Sequence, residues 1–327
     1  LTTLGGLLFS QAGSLATAMA GRVLIGIGTA AVLMATFTIF SHWYTKQEFG
    51  KASGLMVAAG NLGNLAGTAP LAFAVGVMGW RSSFLVIAVL QAVVTVLIFV
   101  KVQDRPAHRL ESVSPEHQEK PGMLAAWGTI AQDRSFWLLA AIAFCWYGNY
   151  LAVQGLWGGP FLMHLIGLTR EGAGKMLMWT SVGFIIGSML TDRIAQRIFR
   201  SYSRTLLVGQ LCLAALMSGF LGWLTLLPLW ALPIYFLGIG LTVSTGVMIY
   251  PIIRAMVPVS MVGTGLTSLN FFVLLGAAVA QQGMGVVIAH YGGYTPEGFR
   301  AAFSLPVAGL LLTSLLFLFA RNCPAGE

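Results

Sequence analysis

Gln103-Asp104-Arg105-Pro106-Ala107-His108-Arg109-Leu110-Glu111 opens the one long polar stretch of this chain, which runs on through Pro115, Glu116, Glu119, Lys120 and Pro121 to Asp133-Arg134. Its charges and prolines predict a solvated linker, with Gly122 to Ile130 expected as a short amphipathic helix at a water–lipid boundary. Everything on either side is apolar by comparison. Across the 327 residues, 57% are hydrophobic and only 9% charged, and the mean hydropathy is +0.82. A soluble domain carries about a quarter charged residues because its surface faces water. A chain this poor in charge is expected to be covered by lipid, as an all-α membrane protein.

A helix needs roughly 20 mostly apolar residues to cross the hydrocarbon core. Ten runs qualify as candidates, at about 1–14, 17–40, 51–77, 83–101, 135–156, 173–191, 205–225, 229–253, 261–289 and 300–320. The first is too short to span alone and starts at Leu1 without a basic flank, so the chain is expected to begin part-way into a helix. It lacks the charged start and cleavage site of a signal peptide. Four runs precede the polar stretch and six follow it. Residues 1–102 are therefore expected to form one bundle, 103–134 the linker and 135–327 a second bundle.

Lys and Arg orient the chain. With the linker placed in the cytoplasm, thirteen basic residues fall on that side, among them Lys46, Lys51, Arg134, Arg197, Arg204 and Arg321. Four fall outside, namely Arg81, Arg170, Lys175 and Arg300, while Arg22 lies within a span. The bias predicts a multi-pass protein of the plasma membrane with linker and C-terminus cytoplasmic.

The formal charge of +8 does not point to nucleic acid, because the basic residues form short loop clusters instead of a continuous patch. Cys145, Cys212 and Cys323 are far apart and suggest neither a disulfide framework nor a metal site. No Ser-His-acid set, no pair of His on one helical face and no Gly-Lys-Ser/Thr phosphate loop is present. Neither enzyme chemistry, a cofactor nor an ATP-driven pump is expected.

Three stretches carry a resemblance. Gly21-Arg22-Val23-Leu24-Ile25-Gly26-Ile27-Gly28 has an Arg followed four and six residues later by Gly. Trp43-Tyr44 through Lys51-Ala52-Ser53-Gly54 forms the next inner loop, and Gly79-Trp80-Arg81-Ser82-Ser83-Phe84 an outer turn. Together they resemble helices four to six of the major facilitator superfamily. That resemblance implies a two-bundle transporter fold of twelve helices, of which three to twelve are seen here. It also explains four spans before the linker and six after it. Asp192-Arg193-Ile194-Ala195-Gln196-Arg197 is similar to the family's inner-loop signature, Asp-Arg-x-Gly-Arg-Arg, with Ala195 and Gln196 departing from it. The resemblance implies an inner gate at Asp192, Arg193 and Arg197; a solvated positive loop is the alternative.

Polar residues at membrane depth are costly and mark function by default. All ten Asp and Glu residues fall in loops, linker or tail. Arg22 is left as the cation within a span, either bonding neighbouring carbonyls or binding an anion. By the resemblance, helices one, four, seven and ten line the cavity. Helix seven carries Trp146, Asn149, Tyr150, Gln154 and Trp157 at helical spacing, followed by an expected break at Gly155 and Gly158-Gly159-Pro160. Thr242, Ser244, Thr245 and Tyr250 of helix ten and Asn270, Gln281 and Gln282 of helix eleven complete the candidates. Each can serve as a solute contact or as interhelical glue. Asn61 and Asn64, within Gly60-Asn61-Leu62-Gly63-Asn64, read as part of a packing seam.

The expectation is a monomeric secondary transporter of a small solute, leaning to an organic or inorganic anion, with a proton as candidate coupling ion. A solute sensor of the same fold, or an inactive fragment, is the alternative.

Overall fold

The computed structural model describes residues 1–30, 32–44, 46–102, 123–258 and 261–319, and their regular structure is helical throughout. They group into two compact units, residues 1–53 with 69–118, and residues 54–68 with 119–327.

The first unit opens with α1 (Thr2–Ser10) and α2 (Leu15–Thr29). Ser14 starts α2 with a reciprocal cap, its hydroxyl accepting from the Thr17 amide while the Thr17 side chain accepts from the Ser14 amide. The helices touch through glycine: a Cβ on Gly21 would stand 2.8 Å from the Phe9 amide nitrogen, and one on Gly5 2.7 Å from the Gly21 carbonyl. Gly26, of the same motif, faces open space. Next come α3 (Val32–Trp43), α4 (Lys46–Ala66) and α5 (Ala69–Lys101). Where a turn was expected, α5 is broken at Gly79, whose φ of 78° favours glycine. Arg81 follows and donates to the Ala12 carbonyl at 2.9 Å.

The second unit takes the C-terminal half of α4 from Gly54 onward, then α6 (Met123–Ala131), the short helix expected before the fifth span. The Trp137 indole donates to the Ala131 carbonyl at 2.8 Å and ties α6 to the next helix. Residues 103–122 of the expected linker lie outside the described residues. Asp133 caps α7 (Arg134–Leu151), which passes through a π-helical segment (Ala152–Trp157) into α8 (Gly158–His164). The expected break is thus a π segment inside one helical path from Arg134 to His164. Pro160 is the third residue of α8, just after the π segment.

The unit continues with α9 (Arg170–Ile194), a second π segment (Ala195–Phe199), α10 (Tyr202–Met217), α11 (Leu232–Ser244), a 3₁₀ segment (Thr245–Met248), α12 (Ile249–Met256), α13 (Val262–His290) and α14 (Pro296–Phe319). Glycines let two helix pairs meet at their backbones. A Cβ on Gly183 of α9 would collide with the Leu237 carbonyl of α11, and one on Gly240 with the Thr180 carbonyl. The same holds for α7 and α13 at Gly148 and Gly276. Phe161, Phe220, Phe236, Phe299 and Phe303 are fully buried in this unit, with Phe220 and Phe303 stacked at 4.4 Å. Large apolar side chains such as Phe99, Leu226 and Trp230 point outward, as a lipid-facing surface requires.

Among the described residues, eight helices are long and apolar enough to cross a membrane, against ten expected runs. The first run gives only the nine residues of α1. The third gives α4 and the start of α5, whose apolar stretches are interrupted at Gly67-Thr68.

Candidate functional site

The polar side chains of α7 do not share one partner. The Trp146 indole donates to the Val243 carbonyl at 2.6 Å, and its ring covers Gly246 so closely that any Cβ there would collide. It therefore seats α7 on the 3₁₀ segment that follows α11. Asn149 donates to Cys145 O at 2.8 Å and to Pro306 O at 3.1 Å, which ties α7 to α14. Because a carbonyl can only accept, these bonds fix the amide's orientation and leave buried Oδ1 without a partner among the described residues. Trp157 donates to the Gln281 carbonyl at 2.9 Å. One helix is thus fastened to three neighbours through backbone acceptors.

The π segment has its own fastening. Gln281 Nε2 donates to the Leu151 carbonyl at 2.8 Å, at the point where the α pattern ends. The amide fits there because Gly155 lacks a Cβ, which would stand 2.6 Å from Nε2. Gln281 reads in the sequence as one of two adjacent intramembrane amides, with Gln282. Its partner lies 130 residues away, so spacing gives no sign of the pair.

A second group of amides and hydroxyls gathers where α4, α7, the π segment and α9 meet. Asn61 is buried and donates from Nδ2 to Val57 O at 2.9 Å, which aims its Oδ1 away from its own backbone. That oxygen is approached by the Tyr150 hydroxyl at 3.5 Å and by Asn64 Nδ2 at 3.3 Å. Both separations are longer than ordinary hydrogen bonds. The Tyr150 ring packs on Phe184 with centroids 5.2 Å apart. One turn on, Gln154 Nε2 donates to Ser181 Oγ at 2.9 Å while its buried Oε1 has no partner among the described residues. Asn64 is exposed, so the group has an open end. Asn61, Asn64 and Ser181 were not among the candidates; the signal available for the two asparagines was that an amide in lipid needs a partner.

The remaining candidates are placed as follows. The Thr245 hydroxyl donates to the Thr242 carbonyl of its own helical path, and Gly209 of α10 leaves room for its side chain. Tyr250 on α12 donates to Asn270 Oδ1 on α13 at 3.4 Å. Asp192 accepts from Gln196 at 2.9 Å and from the Tyr202 hydroxyl at 3.4 Å, while Arg193 and Arg197 are exposed. Gln196, where the resemblance leads one to expect arginine, is thus what Asp192 bonds. In the first unit, Arg22 lies with Cζ 4.3 Å from the Phe9 ring centroid and 5.4 Å from that of Phe84. Among the described residues no hydrogen-bond acceptor or carboxylate pairs with it, and no three His, Cys, Asp or Glu side chains come together as a metal site would need.

The profile of the Major Facilitator Superfamily matches residues 1–281. The chain belongs to the Major Facilitator Superfamily. Similar proteins carry transporter names. The probable sulfoacetate transporter SauU of Cupriavidus necator is 26% identical over 57% of this chain and 46% of its own length. The probable L-galactonate transporter of Escherichia coli is 22% identical over 59% of this chain and 46% of its own. The chain spans about half the length of these curated relatives. A bacterial homologue of the human lysosomal transporter Spinster, solved inward-facing and unoccupied, matches with a TM-score of 0.66 at 16% identity, over 99% of this chain and 81% of that one. That likeness establishes the fold of a two-bundle facilitator, and the chain is a multi-pass membrane protein of a transporter family.

Proposed function

We propose that this facilitator moves a small organic anion by alternating access, as a secondary active transporter, with Arg22 as the cation that meets the anion. The observation that carries the reading is the setting of Arg22. It lies inside a candidate span, in contact with the faces of Phe9 and Phe84 but with no acceptor among the described residues for its five N–H donors. Cation–π contacts contribute about 0.5–2 kcal/mol. Arg22 is exposed and lies seven residues into the span, and a guanidinium inside a spanning helix costs up to about 2.5–3.5 kcal/mol on insertion scales, the upper figure applying at the helix centre. The rings therefore orient the guanidinium without offsetting its presence, and an anion that accepts its hydrogen bonds supplies the rest. The relatives' names support the same class, since sulfoacetate and L-galactonate are both organic-acid anions.

The test is uptake of labelled sulfoacetate and L-galactonate into proteoliposomes holding the full chain. Arg22→Gln is expected to abolish uptake of any acid the parent carries, and Arg22→Lys to restore little of it, because an ammonium lacks the planar fork. Parental uptake in Arg22→Gln would sink the anion role. Binding of an acid without flux in the parent would favour the sensor.

A further inference from the structure

We propose that Asn61, Asn64, Tyr150, Gln154 and Ser181, all of the second unit, bind hydroxyl groups of the solute, so that the carried acid is polyhydroxylated. The inference rests on the organic-anion reading above. It adds a substrate class and three residues to it.

Three features mark this group, and the first of them separates it from the interhelical ties of α7. First, it is under-bonded: the Tyr150–Asn61 and Asn64–Asn61 contacts are 3.5 and 3.3 Å, whereas the ties to backbone carbonyls run from 2.6 to 3.1 Å. Second, one atom of the Gln154 amide has no partner among the described residues. Turning the amide over does not cure this, because Ser181 engages one atom either way and the other stays free. Third, Gln154 sits on a π segment, a departure from α geometry that recurs at functional sites.

The group's chemistry is neutral and mixed. Asn61 Oδ1 is held as an acceptor by the bond from Nδ2 to Val57, the Tyr150 hydroxyl can donate, and the free Gln154 atom is a further contact point. A hydroxyl is the solute group that donates and accepts at once. Such a group can donate to Asn61 Oδ1 while accepting from Tyr150, whose hydroxyl also has Ser181 and Asn64 as hydrogen-bonding neighbours. With no cation among these five residues, they suit the hydroxyls of the acid and not its carboxylate. Access runs through exposed Asn64.

The probes are L-galactonate and hexanoate, six-carbon monocarboxylates with and without hydroxyls. Binding to the full chain in detergent is read by tryptophan fluorescence, which avoids passive membrane permeation. The parent is expected to bind L-galactonate at least about tenfold more tightly than hexanoate, since a site built to bond hydroxyls rejects an analogue lacking them. Tyr150→Phe and Gln154→Met keep shape and remove only polar atoms. Each is expected to lower that ratio at least about threefold with hexanoate affinity unchanged, and Arg22→Gln to weaken both acids together. Equal affinities in the parent, or an unchanged ratio in both variants, overturn the hydroxyl site even where Arg22→Gln weakens binding. Binding of both acids that ignores Arg22→Gln overturns the anion reading instead, and binding of neither overturns both.

Discussion

At the scale of single residues, what decides a role is where each donor goes. Asn149 shows this best. Its position on α7 made it a candidate solute contact, but its two N–H donors end on Cys145 O and Pro306 O, and the second of these joins two helices 157 residues apart in sequence. Removing the amide leaves buried carbonyl acceptors without that donor, a cost of about 1–3 kcal/mol. Asn149→Ala is therefore expected to lower the thermal unfolding temperature while leaving solute affinity near the parental value. The two quantities measured on one preparation check it, and intact stability with lost affinity would return Asn149 to the site. The sequence shows that an amide at this depth needs a partner. It does not show that the partner is a carbonyl on the last helix, because backbone acceptors are the same at every position.

At the scale of elements, the π segment is the informative one. Gly155 and Gly158-Gly159-Pro160 are residues that interrupt helices, and on composition alone they predict a break. The helix continues through the π segment that ends three residues before Pro160, and Gln281 supplies a donor to Leu151 O at the change of pattern. Gly155→Ala would push the Gln281 amide aside, and Gln281→Leu would remove it. Each is expected to destabilise the unit by about 1–3 kcal/mol, and the double variant by little more than either alone, since both remove one contact. Thermal melts of the four proteins test this; additive losses would show that the glycine and the amide act separately. The break at Gly79 was legible because a positive φ leaves a mark on residue choice. A donor arriving from a distant helix leaves none.

For the whole molecule, solvent and class were open to reading from composition, since 9% charge cannot clothe a water-soluble surface. The number of crossings was less so: Gly67-Thr68 divides one apolar run, and α1 is only nine residues long. Orientation rests on the Lys and Arg count, and it is tested directly. In a background without Cys145, Cys212 and Cys323, Glu297→Cys is expected to react with an impermeant maleimide on intact cells, and Gln118→Cys only after permeabilisation. The reverse pattern would invert the chain. Of the hydroxyl-binding group only Tyr150 and Gln154 were candidates from the sequence; the rest come from α4 and α9, and only the fold brings them together.

The glycine contacts between α9 and α11 bear on how such a protein can vary over generations. At Gly183 and Gly240 every possible replacement adds a Cβ, and at both positions that atom runs into a backbone carbonyl that no exchange of side chain can remove. A compensating substitution on the partner helix is therefore no help, in contrast to an ordinary core, where a smaller neighbour makes room for a larger one. Drift along this seam is closed one mutation at a time, and it opens only when the two helices themselves move apart.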